Sequence, residues 1–294
     1  MQTQPVPEYH GWASRRPAIL ARRMRAGIGV LLLAVTISGC ASSAVHVSQH
    51  DPDNLRPTAC EQAWTQARQS ERVQQDQADS RAQAWVQAAR ECPARLDEAT
   101  VHAAQALTAS QDDAQVNRQK ATLRLVQAAQ RLDPLAKALP TELADQAITG
   151  EDRSGFELSV LAARKTDAAW MLTLADAHTT AAQILVGHTK HDPRQGVYPT
   201  TDLLAHPDEC TDPANGIQAP TPALIEMDTA RTLLAVGRKL NGSSGTIRTD
   251  VNQNAKSRQE ATFALVDMIV AHLSMAMNLG YPTTSSTLLQ TPKR

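Results

Sequence analysis

The chain has 294 residues, enough for about two domains of roughly 150 residues each or one large one. Apolar residues make up 42% and aromatics 3%, so a core must come from Leu, Ile, Val, Met and abundant Ala, which favours close-packed helices over strands. The formal net charge of −1 gives no basic excess for nucleic acid, and no Gly-rich phosphate loop, CxxC pair, HExxH or GxSxG sequence is present.

Residues 1–39 read as a signal. Five arginines (Arg15, Arg16, Arg22, Arg23 and Arg25) precede the apolar run GIGVLLLAVTIS at 27–38. The run is too short for a membrane-spanning helix, which takes about 20 residues. A cationic segment followed by a short apolar run is the pattern of a secretory signal. A start at Met24 would make that signal more compact, and Ser14-Arg15-Arg16 lies too far from the run to act as a twin-arginine motif. The run ends in Ile37-Ser38-Gly39-Cys40, which resembles a bacterial lipobox. The resemblance implies cleavage before Cys40 and a diacylglyceryl group on its sulfur, and two acyl chains suffice for stable attachment. Loss of 1–39 removes five Arg and one Glu and leaves 255 residues with a net charge of −5. The expected location is the extracytoplasmic face of the cell membrane, with Cys40 as the anchor and residues 40–56 as a polar tether.

Residues 57–140 read as an N-terminal helical region, a hairpin or small bundle. Cys60, Ala63, Trp64 and Ala67 share one helical face, Pro93 suits the first position of a new helix, and Asp112 or Asp113 can cap a later one ending at Asp133-Pro134. The tryptophans read as core anchors. Export permits disulfides, and Cys60, Cys92 and Cys210 remain beside Cys40. An odd number leaves at least one unpaired or intermolecular. If the stretch 57–92 folds back near Asp76, Cys60 and Cys92 each lie 16 residues from the turn and can bridge. If it is one straight helix, they stand about 48 Å apart and cannot.

Residues 141–294 carry four longer helical patterns, over about 141–164, 167–188, 222–240 and 250–279, with five prolines in the stretch 189–221. A long connection between the second and third helices matches the four-helix bundle with one long crossover. Gly150-Glu151-Asp152-Arg153-Ser154-Gly155-Phe156 with Val160-Leu161-Ala162-Ala163-Arg164, then Asp192-Pro193-Arg194 with Tyr198, and finally Gly280-Tyr281-Pro282, resemble a ferritin-like domain of unknown function found mostly in actinobacterial lipoproteins. The resemblance covers about residues 141–290. It implies an all-α fold and an envelope location, and brings no activity with it.

Ferritin-like di-metal centres take a Glu from each of two helices and a Glu-x-x-His from each of the other two. On helical wheels His178 falls within the apolar face of Trp170, Met171, Leu174, Ala181 and Leu185, and His272 falls among Leu265, Ala276 and Leu279. Asp152 lies beside Phe156 and Ala163, and Glu226 borders Ala223, Met227, Ala230 and Leu234. The positions three residues before the histidines hold Ala175 and Ile269, so both bridging glutamates are missing. His178 and His272 therefore read either as core histidines bonded to polar partners or as half of a degenerate ligand set with Asp152 and Glu226. His188, His191 and Asp192 sit at a helix end, where a cation suits the dipole. His206-Pro207-Asp208-Glu209-Cys210 gathers ligand types without the second cluster that a structural zinc site needs. No Ser/His/Asp order is legible. The expectation is a non-enzymatic envelope module with a protein partner and no metal or cofactor. A metal- or small-ligand-binding bundle is the alternative.

Overall fold

The computed structural model describes residues 57–72, 78–109, 113–166, 168–242 and 255–283. The signal, the lipobox with Cys40 and the tether lie outside them. The described chain is mostly helix.

Thr58 opens α1 (Ala59–Ser70) with a reciprocal cap. Its hydroxyl accepts from the Glu61 amide at 3.2 Å, and the Glu61 carboxylate accepts from the Thr58 amide at 2.7 Å. α2 (Ala78–Glu91) packs on α1, with Trp64 edge-on to Trp85 at 5.1 Å. A disulfide joins Cys60 to Cys92 across a Cα–Cα distance of 4.9 Å. The stretch is thus two paired helices and not one straight rod. A 3₁₀ turn at Pro93–Arg95 leads into α3 (Leu96–Thr108). The Asp113 side chain accepts from the Gln115 amide at 2.7 Å and caps α4 (Ala114–Ala129). The Asp133-Pro134 pair starts a further short helix, α5 (Asp133–Ala138), because a first-turn proline gives up no helical hydrogen bond.

α6 (Thr141–Ala162) and α7 (Ala169–Val186) follow with a short connection and pack against each other. The long crossover holds α8 (Thr201–Ala205) and a small antiparallel pair, β1 (Glu209–Thr211) and β2 (Gln218–Pro220), with Cys210 opposite Ala219. α9 (Thr221–Gly242) packs against α6, and α10 (Ala255–Asn278) against α9. On the remaining side α4 and α5 touch both α7 and α10, and α10 also meets α2 and α3. One continuous apolar core therefore runs from Ala63 to Tyr281, across both halves of the sequence. α10 has the length and mean hydropathy (1.4) of a membrane span, but 78% of that window is buried inside the fold, as in a core helix.

The crossover is tied down by a buried cluster. The Arg231 guanidinium on α9 donates to both Asp212 oxygens, at 2.7 and 3.1 Å. The Tyr281 hydroxyl donates to Asp212 and accepts from Asn215 at 2.8 Å and from Arg231 at 3.1 Å. Gly280, at φ 105°, ends α10 in the left-handed conformation that glycine adopts without strain and turns Tyr281 back onto the core.

Candidate functional site

Each of the four long helices sends one ionisable side chain to a common point: Glu151 from α6, His178 from α7, Glu226 from α9 and His272 from α10. All four are 0% exposed. They alternate around a closed ring. His178 Nδ1 lies 2.7 Å from Glu151 Oε2, and His272 Nδ1 lies 2.7 Å from Glu226 Oε2. The Nε2 atoms reach across, His178 to Glu226 Oε1 at 3.3 Å and His272 to Glu151 Oε1 at 3.1 Å. The two imidazoles stack at 4.9 Å between centroids with planes 25° apart. The arrangement has approximate two-fold symmetry: each histidine bonds tightly to the glutamate of its own helix pair and loosely to that of the other.

The symmetry extends one turn along the helices. Ser154 and Thr229 stand three residues after Glu151 and Glu226, and their hydroxyls meet at 2.6 Å. Thr229 donates to the Ile225 carbonyl, which leaves Ser154 as the donor of that pair. Gly155 permits the close approach of α6 to α7: a Cβ there would stand 3.1 Å from the Ala175 carbonyl oxygen and 3.3 Å from the His178 Cβ.

Burial alone would raise the Glu151 carboxyl, but the His272 charge and the His178 hydrogen bond outweigh it and hold the group down at about 2. Burial alone would lower His178, but Glu226 and Glu151 push it up to about 10. Glu226 is likewise lowered and His272 raised, in each case by ring partners that overcome burial. At neutral pH the ring is thus two carboxylates and two imidazoliums with no net charge. Each ring nitrogen donates to a carboxylate oxygen, so these buried polar atoms are all satisfied. One donor atom each from Glu151, His178 and His272 also lie within 4.8 Å of one another, as ligands of one ion would. The ring does not fit a ferritin-like di-metal centre, because with Ala175 and Ile269 before the histidines it has two carboxylates where such a centre has four.

Three of the four residues singled out in the sequence meet here: His178, Glu226 and His272. Asp152 does not, and Glu151 takes its place. A helical wheel centred on Phe156 and Ala163 turns Asp152 inward, but Ala163 is exposed and Phe156 is half-buried against Tyr198, with ring centroids 5.7 Å apart. The buried face of α6 is Leu143, Ala144, Ala147, Ile148, Glu151, Ser154, Gly155 and Leu158, a continuous i, i+3, i+4 stripe that the sequence does carry. Asp152 instead accepts from the Tyr198 hydroxyl at 2.7 Å and fastens the crossover to α6.

The other candidates are dispersed. His188 pairs with Asp133 at 2.8 Å, His191 with Asp145 at 3.1 Å, and Asp192 with Arg194 at 2.7 Å, all near the surface. In the His206–Cys210 segment, Asp208 accepts from Lys165 at 2.7 Å and Cys210 is a free, half-buried thiol. Compared with known proteins, the chain matches no family model, no curated protein and no solved structure.

Proposed function

We propose that the chain is a lipid-anchored, extracytoplasmic protein with a ferritin-like body, and that it acts by binding. The observation that favours a non-enzymatic binding or structural role is the closed Glu151–His178–Glu226–His272 ring. The chemistry-bearing groups are sealed at the centre of four helices and engage one another, with 0% exposure to any cleft where a substrate would turn over. Helix order supports the ferritin-like reading: two helices, a long crossover, then two more. Export is supported by the lipobox-like Ile37-Ser38-Gly39-Cys40 and, independently, by the Cys60–Cys92 disulfide, a bond that persists in oxidising compartments.

The test is metabolic labelling of cells expressing the full chain with an alkyne fatty acid, followed by detergent phase partitioning. Label and detergent partitioning for the wild type, both lost in Cys40→Ser, are expected. An unlabelled wild type in the aqueous phase overturns the anchored reading.

A further inference from the structure

We infer that the cleft where α2 and α4 lie on α10 is a binding site for a small organic anion, a single carboxylate carried on an apolar body. The inference rests on reading the chain as a binding protein, places that binding outside the buried ring, and is independent of the anchor.

Three helices build the cleft, each with one stripe of side chains. α2 gives a continuous i, i+3, i+4 stripe from Asp79 to Arg90. α4 gives Arg124, Gln127 and Ala128, with Arg131 just past its end, and α10 gives Asp267, Val270 and Ala271. Leu107 of α3 completes the lining. The cavity holds about 620 Å³, within the roughly 300–1,000 Å³ of small-ligand sites. Two ion pairs frame it. Arg90 Nη2 donates to Asp267 Oδ1 at 2.6 Å and ties α2 to α10, while Arg124 Nη2 donates to Asp79 Oδ1 at 3.0 Å and ties α4 to α2. The Arg90 guanidinium is further held over the Phe263 ring, 4.4 Å from its centroid.

The lining names the ligand class. Ala82, Ala128, Val270 and Ala271 are buried, so the depth of the cleft is apolar, while Gln83, Gln127 and Arg131 at its edge are exposed. Three guanidiniums against two carboxylates leave one positive charge on the cleft, in a chain whose net charge is −1. One surplus charge calls for a monoanion. The donors to receive it are present. Among the described residues the Arg131 guanidinium meets no acid, and Arg90 and Arg124 each give one Nη to an aspartate. Arg90 Nε has no hydrogen-bond partner. A planar guanidinium fork matches a carboxylate with two parallel N–H bonds. The apolar depth then takes the body of the ligand, the division of labour that small-molecule sites show.

The test titrates the full chain, in nonionic detergent against a detergent blank, with 2-naphthoate and with the neutral 2-naphthamide of the same shape, read by calorimetry. Expected are one naphthoate per chain and binding of the amide weaker by about tenfold or more, the worth of a hydrogen bond to a charged group. Arg131→Gln is expected to weaken naphthoate by about the same factor, and Arg131→Lys by less. Arg194→Gln, outside the cleft, leaves binding unchanged. The doubly charged 2-naphthyl phosphate binds no tighter than naphthoate, and tighter binding overturns the monoanion assignment. Circular dichroism establishes that each variant is folded. Should Arg131→Gln fail to fold, the wild type decides alone: no uptake at millimolar naphthoate, or amide bound as tightly as acid, overturns the proposal. Full affinity in the folded Arg131→Gln protein, or an equal loss in Arg194→Gln, overturns it as well. A chain that is lipidated but takes no naphthoate defeats this inference and leaves the anchored location standing; an unlipidated chain that takes it does the reverse.

Discussion

Placing a carboxylate at zero exposure costs several kcal/mol in lost hydration, and Glu151 and Glu226 are both placed so. The two imidazoles offset that cost, and the compensation depends on pH in a definite direction. The carboxyl groups sit below their ordinary 4.5, so their share of stability is complete above about pH 4.5 and is lost as pH falls through the folded values, about 2 for Glu151. The imidazoles sit above their ordinary 6.5, so their share is complete below about pH 6.5 and is lost as pH rises, through about 10 for His178. The windows overlap between those ordinary values, and there the ring stabilises the chain most. Glu226→Gln strips a partner from both imidazoles and is expected to cost about 3–5 kcal/mol near pH 5.5. The cost shrinks toward about pH 9, where the unfolded chain no longer holds the histidine protons. Urea unfolding of both proteins across that range reads the gap, and a gap that widens with pH would sink the charged-ring account. His178, His272 and Glu226 were legible because a polar residue within an apolar stripe stands out on a wheel. Glu151 was hidden by its neighbour Asp152 and by the pull of Phe156, whose size suggested an interior position that the small stripe of Ala147, Ser154 and Gly155 actually occupies.

Among the elements, the long helices announced themselves by period. The pattern over 141–164 is α6 at Thr141–Ala162, and that over 222–240 is α9 at Thr221–Gly242. The crossover showed in its length and its five prolines, but its internal order did not show. Its strands are three residues each, too short for any alternation to show, and its order comes from tertiary contacts, the buried Asp212 cluster among them. Asp212 is fully buried, and its charge is met by Arg231 from α9 and by the hydroxyl of Tyr281 beyond α10. Burial and the Asp212 hydrogen bond both raise the Tyr281 hydroxyl, which therefore stays protonated as the donor. Tyr281→Phe removes that donor while leaving the ring in its packed place. It leaves Asp212 one hydrogen bond short, and the expected loss is about 1–3 kcal/mol. The same change should raise amide exchange of Asp212 and Gly216, whose backbone bonds close the loop, more than that of α6 or α9. Uniform exchange across the chain would show that the cluster does not hold the crossover.

At the scale of the molecule, sequence organisation and packing diverge. Composition and helix spacing separate an N-terminal region, 57–140, from a bundle at 141–294. In the fold, the side of the bundle between α7 and α10 is walled by α4 and α5, and Leu125, Leu132 and Leu135 in that wall are fully buried. Hydropathy patterns report which face of a helix is buried but not which element buries it, so this dependence had no signature in the sequence. It has a thermodynamic one. Because the wall and the ring helices share one core, the described body should unfold in a single transition with equal calorimetric and van't Hoff enthalpies. Leu125→Ala, in α4 and outside all four ring helices, should lower that transition by about 2–5 kcal/mol without splitting it. Two separated heat-absorption peaks, or a Leu125→Ala protein in which only part of the helix signal melts early, would mean that the two regions fold independently. A single shifted peak would mean that the N-terminal helices are part of what keeps water from Glu151, His178, Glu226 and His272.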